Sequence, residues 1–175
     1  MPLRNIVISD LELMLEWRNH PHIRSKMFFQ NIIQFEHHKE WFLKEAKKEN
    51  SDWLLYSDTK GNKLGVVYFT NIDRFSSHAF WGLYIDPEAP SGTGTKLALE
   101  ALDYIFKEKE LHKINAEVLE NNQRSEHFHK KLGFTVEGQF REQYWDGASY
   151  QYVTRFGLFA LEWESARKAL TASRV

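Results

Sequence analysis

The chain of 175 residues contains no cysteine. That absence excludes disulfides, thiolate zinc sites and a cysteine nucleophile together, and it fits a reducing cytoplasm. An excess of one charge sign is missing too. With 23 Lys and Arg against 24 Asp and Glu, the formal net charge is -1, and no polybasic footprint for nucleic acid results. No apolar run approaches the roughly 20 residues a membrane span needs. The opening MPLRNIVISD has no basic region followed by an apolar core, so neither a membrane partner nor a signal peptide is expected. Carboxylates do not cluster. His37 and His38 are adjacent, so they point about 100° apart on a helix, and His127 and His129 have the same difficulty. No catalytic metal is expected.

What is present suits one domain, 1–175, with a full hydrophobic core. The aromatic share is 15%, with 6 Trp, 7 Tyr and 13 Phe, enough to fill a core and leave rings for a ligand pocket. RNIVIS reads as a first strand, with Asp10 as N-cap of the helical LELMLEWRN. HPHIRSKMF is a turn with a short helical piece, and QFEHHKEWFLKEAKK an amphipathic helix. DWLLYSD and KLGVVYFTNI are strands around the turn TKGN. HAFWGLYID is a further strand, closed by Pro87. A helix running to about Lys109 follows, then the strand KINAEVL. Asn121 or Asn122 caps a helix through Leu132, with Gly133 at the position after its end. FTVEGQFREQYW and SYQYVTRFGLF flank the turn DGA, and the tail ALEWESARKAL is helical. The later strand-helix-strand units can pair in parallel, so a mixed α/β sheet with helices on both faces is expected.

The segment APSGTGTKLALEAL places small residues at the mouth of a helix. Glycine there permits positive φ and close approach of a ligand to the backbone. Free N–H groups at a helix N-terminus attract anions, phosphate above all. An ordinary loop with a hydroxyl cap remains the alternative on these residues alone. The loop lies at the C-terminal end of a strand, where ligands of open α/β sheets commonly bind.

LYIDPEAPSGTGTKLALEAL resembles the acyl-CoA loop of the GNAT N-acetyltransferases, and VLENNQRSEHFHKKLGF resembles that family's Asn-capped helix ending in Leu-Gly-Phe. Both stand in the family's order. The resemblance implies a single-domain, mixed and mostly antiparallel sheet whose central strands splay into a V, and acetyl-CoA as co-substrate without a metal. It implies that the pantetheine lies against Leu83, Tyr84 and Ile85. The pyrophosphate would rest on the backbone of Ser91, Gly92, Thr93, Gly94 and Thr95. Asn122 would contact the pantetheine arm, with Ser125, Lys130 and Lys131 near the nucleotide end. Two departures stand out. The loop begins Ala89-Pro90 where relatives carry a cation and a glycine, and Pro90 lacks an N–H. His129 falls where many relatives place a tyrosine that protonates the leaving thiolate.

EWRNHPHIRSKMF followed by EHHKEWF resembles a narrower subgroup, which acetylates amines of nucleotide-linked sugars such as the 4-amino-sugar of pseudaminic acid synthesis. This makes a nucleotide-sugar small molecule the expected acceptor, probed as a UDP-4-amino-4,6-dideoxy sugar. A protein N-terminal acetyltransferase is the runner-up, and a non-catalytic CoA-binding module the third reading. Acyl transfer requires a neutral amine, a donor for the oxyanion and stabilisation of the thiolate. A backbone N–H near Leu83 to Ile85 suits the oxyanion. His129 is the candidate acid, since imidazole titrates near neutrality. His37, His38 and His78 are weaker candidates for a base. Trp17, Arg18 and Asn19 are expected at the acceptor, Arg18 pairing with a diphosphate. Phe29, Trp81 and Tyr84 would pack on sugar or uracil. A homodimer is compatible with the fold.

Overall fold

The structure, a computed structural model, describes residues 2–172. Strands β1 (Leu3–Asn5), β2 (Asp52–Ser57), β3 (Lys63–Asp73), β4 (His78–Ile85), β5 (Lys113–Leu119), β6 (Thr135–Trp145) and β7 (Tyr150–Phe159) form one seven-stranded sheet in the order β1-β2-β3-β4-β5-β7-β6. Helices α1 (Leu11–Asn19), α2 (Pro21–Arg24) and α3 (Phe35–Glu45) precede β2; α4 (Thr93–Asp103), α5 (Gln123–Lys131) and α6 (Ala160–Ala172) follow β4, β5 and β7.

Alternation along the strands assigns each helix to a face. Leu55, Val66 and Tyr84 point to one face, where Leu11, Met14 and Trp17 of α1 and Phe42 of α3 cover them. Leu54, Val67, Phe69 and Trp81 point to the other, under Leu97, Ala98, Ala101 and Leu102 of α4 and Trp163 of α6. Trp163 is fully buried and donates its indole N–H to Asp103 at 2.9 Å, which ties α6 to α4.

Among the described residues one neighbouring pair is parallel, β4 with β5. It lasts for residues 78–80 against 113–115. Beyond that point β4 stays paired with β3 as far as Ile85, and β5 with β7 as far as Leu119. Residues 81–85 and 116–119 therefore part from each other, and the sheet opens as a V. The mixed, mostly antiparallel architecture follows the sequence expectation.

Two local expectations are corrected. The unit β5-α5-β6 does not pair in parallel, because β7 lies between and runs antiparallel to both. The reason is burial. Val153, Phe156 and Leu158 of β7 are buried, whereas β6 is exposed along almost its whole length. The hairpin places its apolar strand inside and its polar strand at the edge. Asp10 also does not cap α1. Its carboxylate is fully buried, accepts the Val7 N–H at 2.9 Å and pairs with Arg4 at 2.7 Å and Lys63 at 2.8 Å. It joins the first strand to β3 instead.

Candidate active site

The V opens toward the C-terminal ends of β4 and β5, where residues 86–92 lead into α4 and residues 120–122 into α5. Gly92 sits at φ +85, the left-handed region that favours glycine, and forms the N-cap of α4. A Cβ at Gly92 would meet nothing within 4 Å, and one at Gly94 only Phe128 of α5 at 3.9 Å. The approach to the helix mouth is thus open. Among the described residues the N–H groups of Gly92, Gly94 and Thr95 take no acceptor, which leaves convergent donors at the positive end of a helix.

Thr93 behaves otherwise. Its N–H and its hydroxyl both donate to the Pro90 carbonyl, at 3.1 and 2.7 Å. It is buried and serves the turn, so its own groups are not free for a ligand. Pro90 thus contributes an acceptor to the loop in place of a donor. Ser91 is exposed at the rim.

Across the V, Asn122 caps α5: its side-chain oxygen accepts the Ser125 N–H at 3.2 Å. Its amide nitrogen has no partner among the described residues. Lys130 and Lys131 are exposed. His129 is 8% exposed, stacked on Phe156 at 5.4 Å and edge-on to Trp81 and Phe134. Burial depresses its pKa to about 4, only partly offset by the hydrogen bond to the Ser125 carbonyl. Nδ1 lies 2.7 Å from that carbonyl and, as the donor there, carries the ring's one proton at neutral pH. At the position where an acid was expected, the ring is buried and its Nδ1–H is held by the helix carbonyl. The side chain is a neutral core histidine, its N–H committed to the helix.

The acceptor residues divide similarly. Trp17 and Trp81 are buried in opposite cores and present no open face. Asn19 pins the following segment, donating to the Ile33 carbonyl at 2.8 Å and accepting its N–H at 2.9 Å. Phe29 is 55% exposed, and its carbonyl, not its ring, is engaged. Leu83 and Ile85 pack toward α4, while Tyr84 is buried toward α1. Of the weaker base candidates, His78 begins β4, at the end away from the V, and His37 is exposed on α3.

Arg18 is the charged group beside the parting strands. It is half-buried, donates through Nη2 to the Phe29 carbonyl at 2.7 Å and keeps Nη1 buried without a partner among the described residues. Burial lowers its pKa; the groups whose charge reaches it are the Tyr84 and Tyr68 phenols and the Arg24 guanidinium. No carboxylate is among them. Beside it runs a line of rings the sequence reading did not assemble. His38 stacks on Trp41 at 5.1 Å, Trp41 meets Trp53 at 4.6 Å, and Trp53 stacks on Tyr68 at 4.4 Å. The Tyr68 ring covers Gly82, where any Cβ would collide with it. The available signal was the alternation that puts Trp53, Tyr68 and Tyr84 on one sheet face. Among the described residues, no three or more His, Asp or Glu side chains converge as metal ligands.

Comparison with known proteins follows the same lines. The model of the acetyltransferase (GNAT) domain matches residues 1–135. A spermidine N(1)-acetyltransferase of Vibrio cholerae is 28% identical over 156 residues, covering 89% of this chain and 90% of that protein. Acetyltransferase PseH of Campylobacter jejuni is 30% identical over 138 residues, covering 78% and 83%. The crystal structure of spermidine N-acetyltransferase from Vibrio cholerae in complex with CoA and spermine superposes with a TM-score of 0.86 at 26% identity, covering 93% of this chain and 96% of that one.

Proposed function

The chain belongs to the GNAT acetyltransferase family and is an acetyl-CoA-dependent N-acetyltransferase, and on that premise we propose that its acceptor is the amine of a nucleotide-linked amino sugar. The relatives point two ways, to spermidine and to PseH. Their acceptor chemistries call for opposite charges. A polyamine carries several ammonium groups and calls for carboxylates, whereas a nucleotide sugar carries a diphosphate and calls for cations and rings.

The observation that carries the choice is Arg18. Its guanidinium has a buried nitrogen without a partner, feels no carboxylate, and has Arg24 as its cationic neighbour. An unpaired buried donor of this kind is costly unless an acceptor arrives. Phosphate oxygens would satisfy it, and a polyamine would add repulsion. The partly exposed Trp41 and Trp53 next to it offer apolar ring surface for a base or sugar.

In this reading the free N–H groups of Gly92, Gly94 and Thr95 receive the CoA pyrophosphate, and the unpaired edge of β4 around Leu83 borders the pantetheine. The co-substrate supplies an activated acetyl thioester. The protein orients the amine toward it and offers β4 backbone donors where negative charge develops. Proton loss from the amine needs no charged side chain, since water relays it.

The test is thiol release from acetyl-CoA with a UDP-4-amino-4,6-dideoxy sugar, spermidine and a short peptide with a free N-terminus, each with the parent and Arg18→Met. Turnover with the sugar is expected, with Arg18→Met raising its KM roughly tenfold to a hundredfold, as loss of a hydrogen bond between charged groups predicts. Acetyl-CoA KM should stay unchanged. Turnover with spermidine alone, unaffected or improved by Arg18→Met, would overturn the reading. Turnover with the peptide alone would favour the N-terminal acetyltransferase.

A further inference from the structure

Residues 25–34, between α2 and α3, form neither helix nor strand. They are nevertheless held along their length, because side chains from other elements hydrogen-bond their main chain. From one side, Arg18 donates to the Phe29 carbonyl at 2.7 Å, Arg24 to the Gln30 carbonyl at 2.6 Å and Asn19 to the Ile33 carbonyl at 2.8 Å. From the other side, the Tyr144 hydroxyl donates to the Phe28 carbonyl at 2.8 Å, with the two rings edge-on at 5.6 Å. Lys26 reaches the Asn121 carbonyl at 2.6 Å, next to the cap of α5.

These partners lie on opposite arms of the V. Arg18 and Asn19 belong to α1, which packs on β2, β3 and β4. Tyr144 belongs to the β6–β7 hairpin, whose pairs of Tyr144 with Gln151 and Trp145 with Tyr150 lie beyond the last pair of β7 with β5, Leu119 with Val153. Segment 25–34 thus bridges the two arms where β4 and β5 part. Phe28 and Phe29 are consecutive. The carbonyl that Tyr144 grips is one peptide away from the carbonyl that orients Arg18.

We infer that Tyr144 is a positioning residue for acceptor binding: by fixing the peptide beside the Phe29 carbonyl, it aims the unpartnered side of the Arg18 guanidinium and keeps the strap 25–34 closed over it. This rests on the reading of Arg18 as the acceptor's anion ligand. A segment without its own ladder depends on such outer contacts for its position. Tyr144 therefore acts on the acceptor half of the site and not on the CoA half, where Gly92 caps α4 and Gly94 and Thr95 form its first turn.

The test compares the parent, Tyr144→Phe, Arg18→Met and the double variant. Phenylalanine keeps the ring against Phe28 and removes only the hydroxyl. Amide exchange read by mass spectrometry should accelerate over 25–34 in Tyr144→Phe and stay unchanged elsewhere. With the amine that the parent turns over, acceptor KM should rise about three- to tenfold, the loss of one hydrogen bond. Acetyl-CoA KM and kcat should stay within about twofold of the parent. In the Arg18→Met background, Tyr144→Phe should raise acceptor KM no further. Unchanged exchange over 25–34 would overturn the clasp. Faster exchange with an unchanged acceptor KM would reduce Tyr144 to a structural contact. Additive effects in the double variant would overturn the route through Arg18 while leaving Arg18 as a ligand. An Arg18→Met variant with parental acceptor KM would instead defeat the acceptor reading itself.

Discussion

A histidine enclosed by Trp81, Phe134 and Phe156 has its Nδ1–H engaged by the Ser125 carbonyl, which ill suits it to protonate a leaving group. His129→Phe should therefore keep kcat within about threefold of the parent. A residue acting as general acid would lose roughly 10²–10⁴-fold, and steady-state kinetics at saturating acetyl-CoA separates the two. The position of His129 in its helix was readable from the motif. Its role was not, because burial by rings from β4, β7 and the segment after α5 is a tertiary fact. The same holds for the two tryptophans placed at the acceptor. Arg18 was readable as a cation at the end of α1 suited to a diphosphate; that its Nη1 is buried without a partner among the described residues is again a tertiary fact.

At the scale of elements, the mouth of α4 carries the most information. Gly92 needs glycine for its conformation, with φ +85, while Gly94 is helical and its Cβ position is open. The two should respond oppositely to alanine. Gly94→Ala should stabilise the fold by about 0.5–1 kcal/mol, the helix-propensity gain, yet weaken acetyl-CoA binding on the proposed reading, because the methyl would stand where the N–H groups receive the pyrophosphate. Gly92→Ala should destabilise by about 1–2 kcal/mol through backbone strain. Urea unfolding and calorimetric titration with acetyl-CoA check both. This loop was legible because its signal is local, a glycine pattern running into an apolar helix. The order of β6 and β7 was not, since two strands joined by a turn can take either place and burial of Val153, Phe156 and Leu158 makes the choice.

For the whole molecule, charge balance near zero hides two opposed buried groups that make it acid-sensitive. His129 titrates near 4 in the folded state and near 6.5 when unfolded. Between those values the unfolded chain binds a proton that the folded chain refuses, so stability falls as pH drops through that window, by roughly 3 kcal/mol at its lower end. Asp10 adds a second, lower window. The Arg4 guanidinium, with Lys63 and the Val7 N–H, holds its carboxyl well below the usual range. Its contribution is present above about pH 4 and lost below it. Urea midpoints measured from pH 7 to pH 3 should decline, and His129→Phe should flatten the curve between pH 7 and pH 4 while leaving the drop below pH 4.

By itself the sequence determined the elements, the two glycine- and asparagine-marked helix entrances and hence the family, because caps, turns and periodicity act over a few residues. The tertiary structure alone decided which strands part, which histidine is neutral, and that Tyr144 meets a strap 116 residues away. Those outcomes depend on which side chains share a face of the sheet and which are shielded from water. Desolvation and packing are properties of the assembled molecule, and no window of the chain contains them.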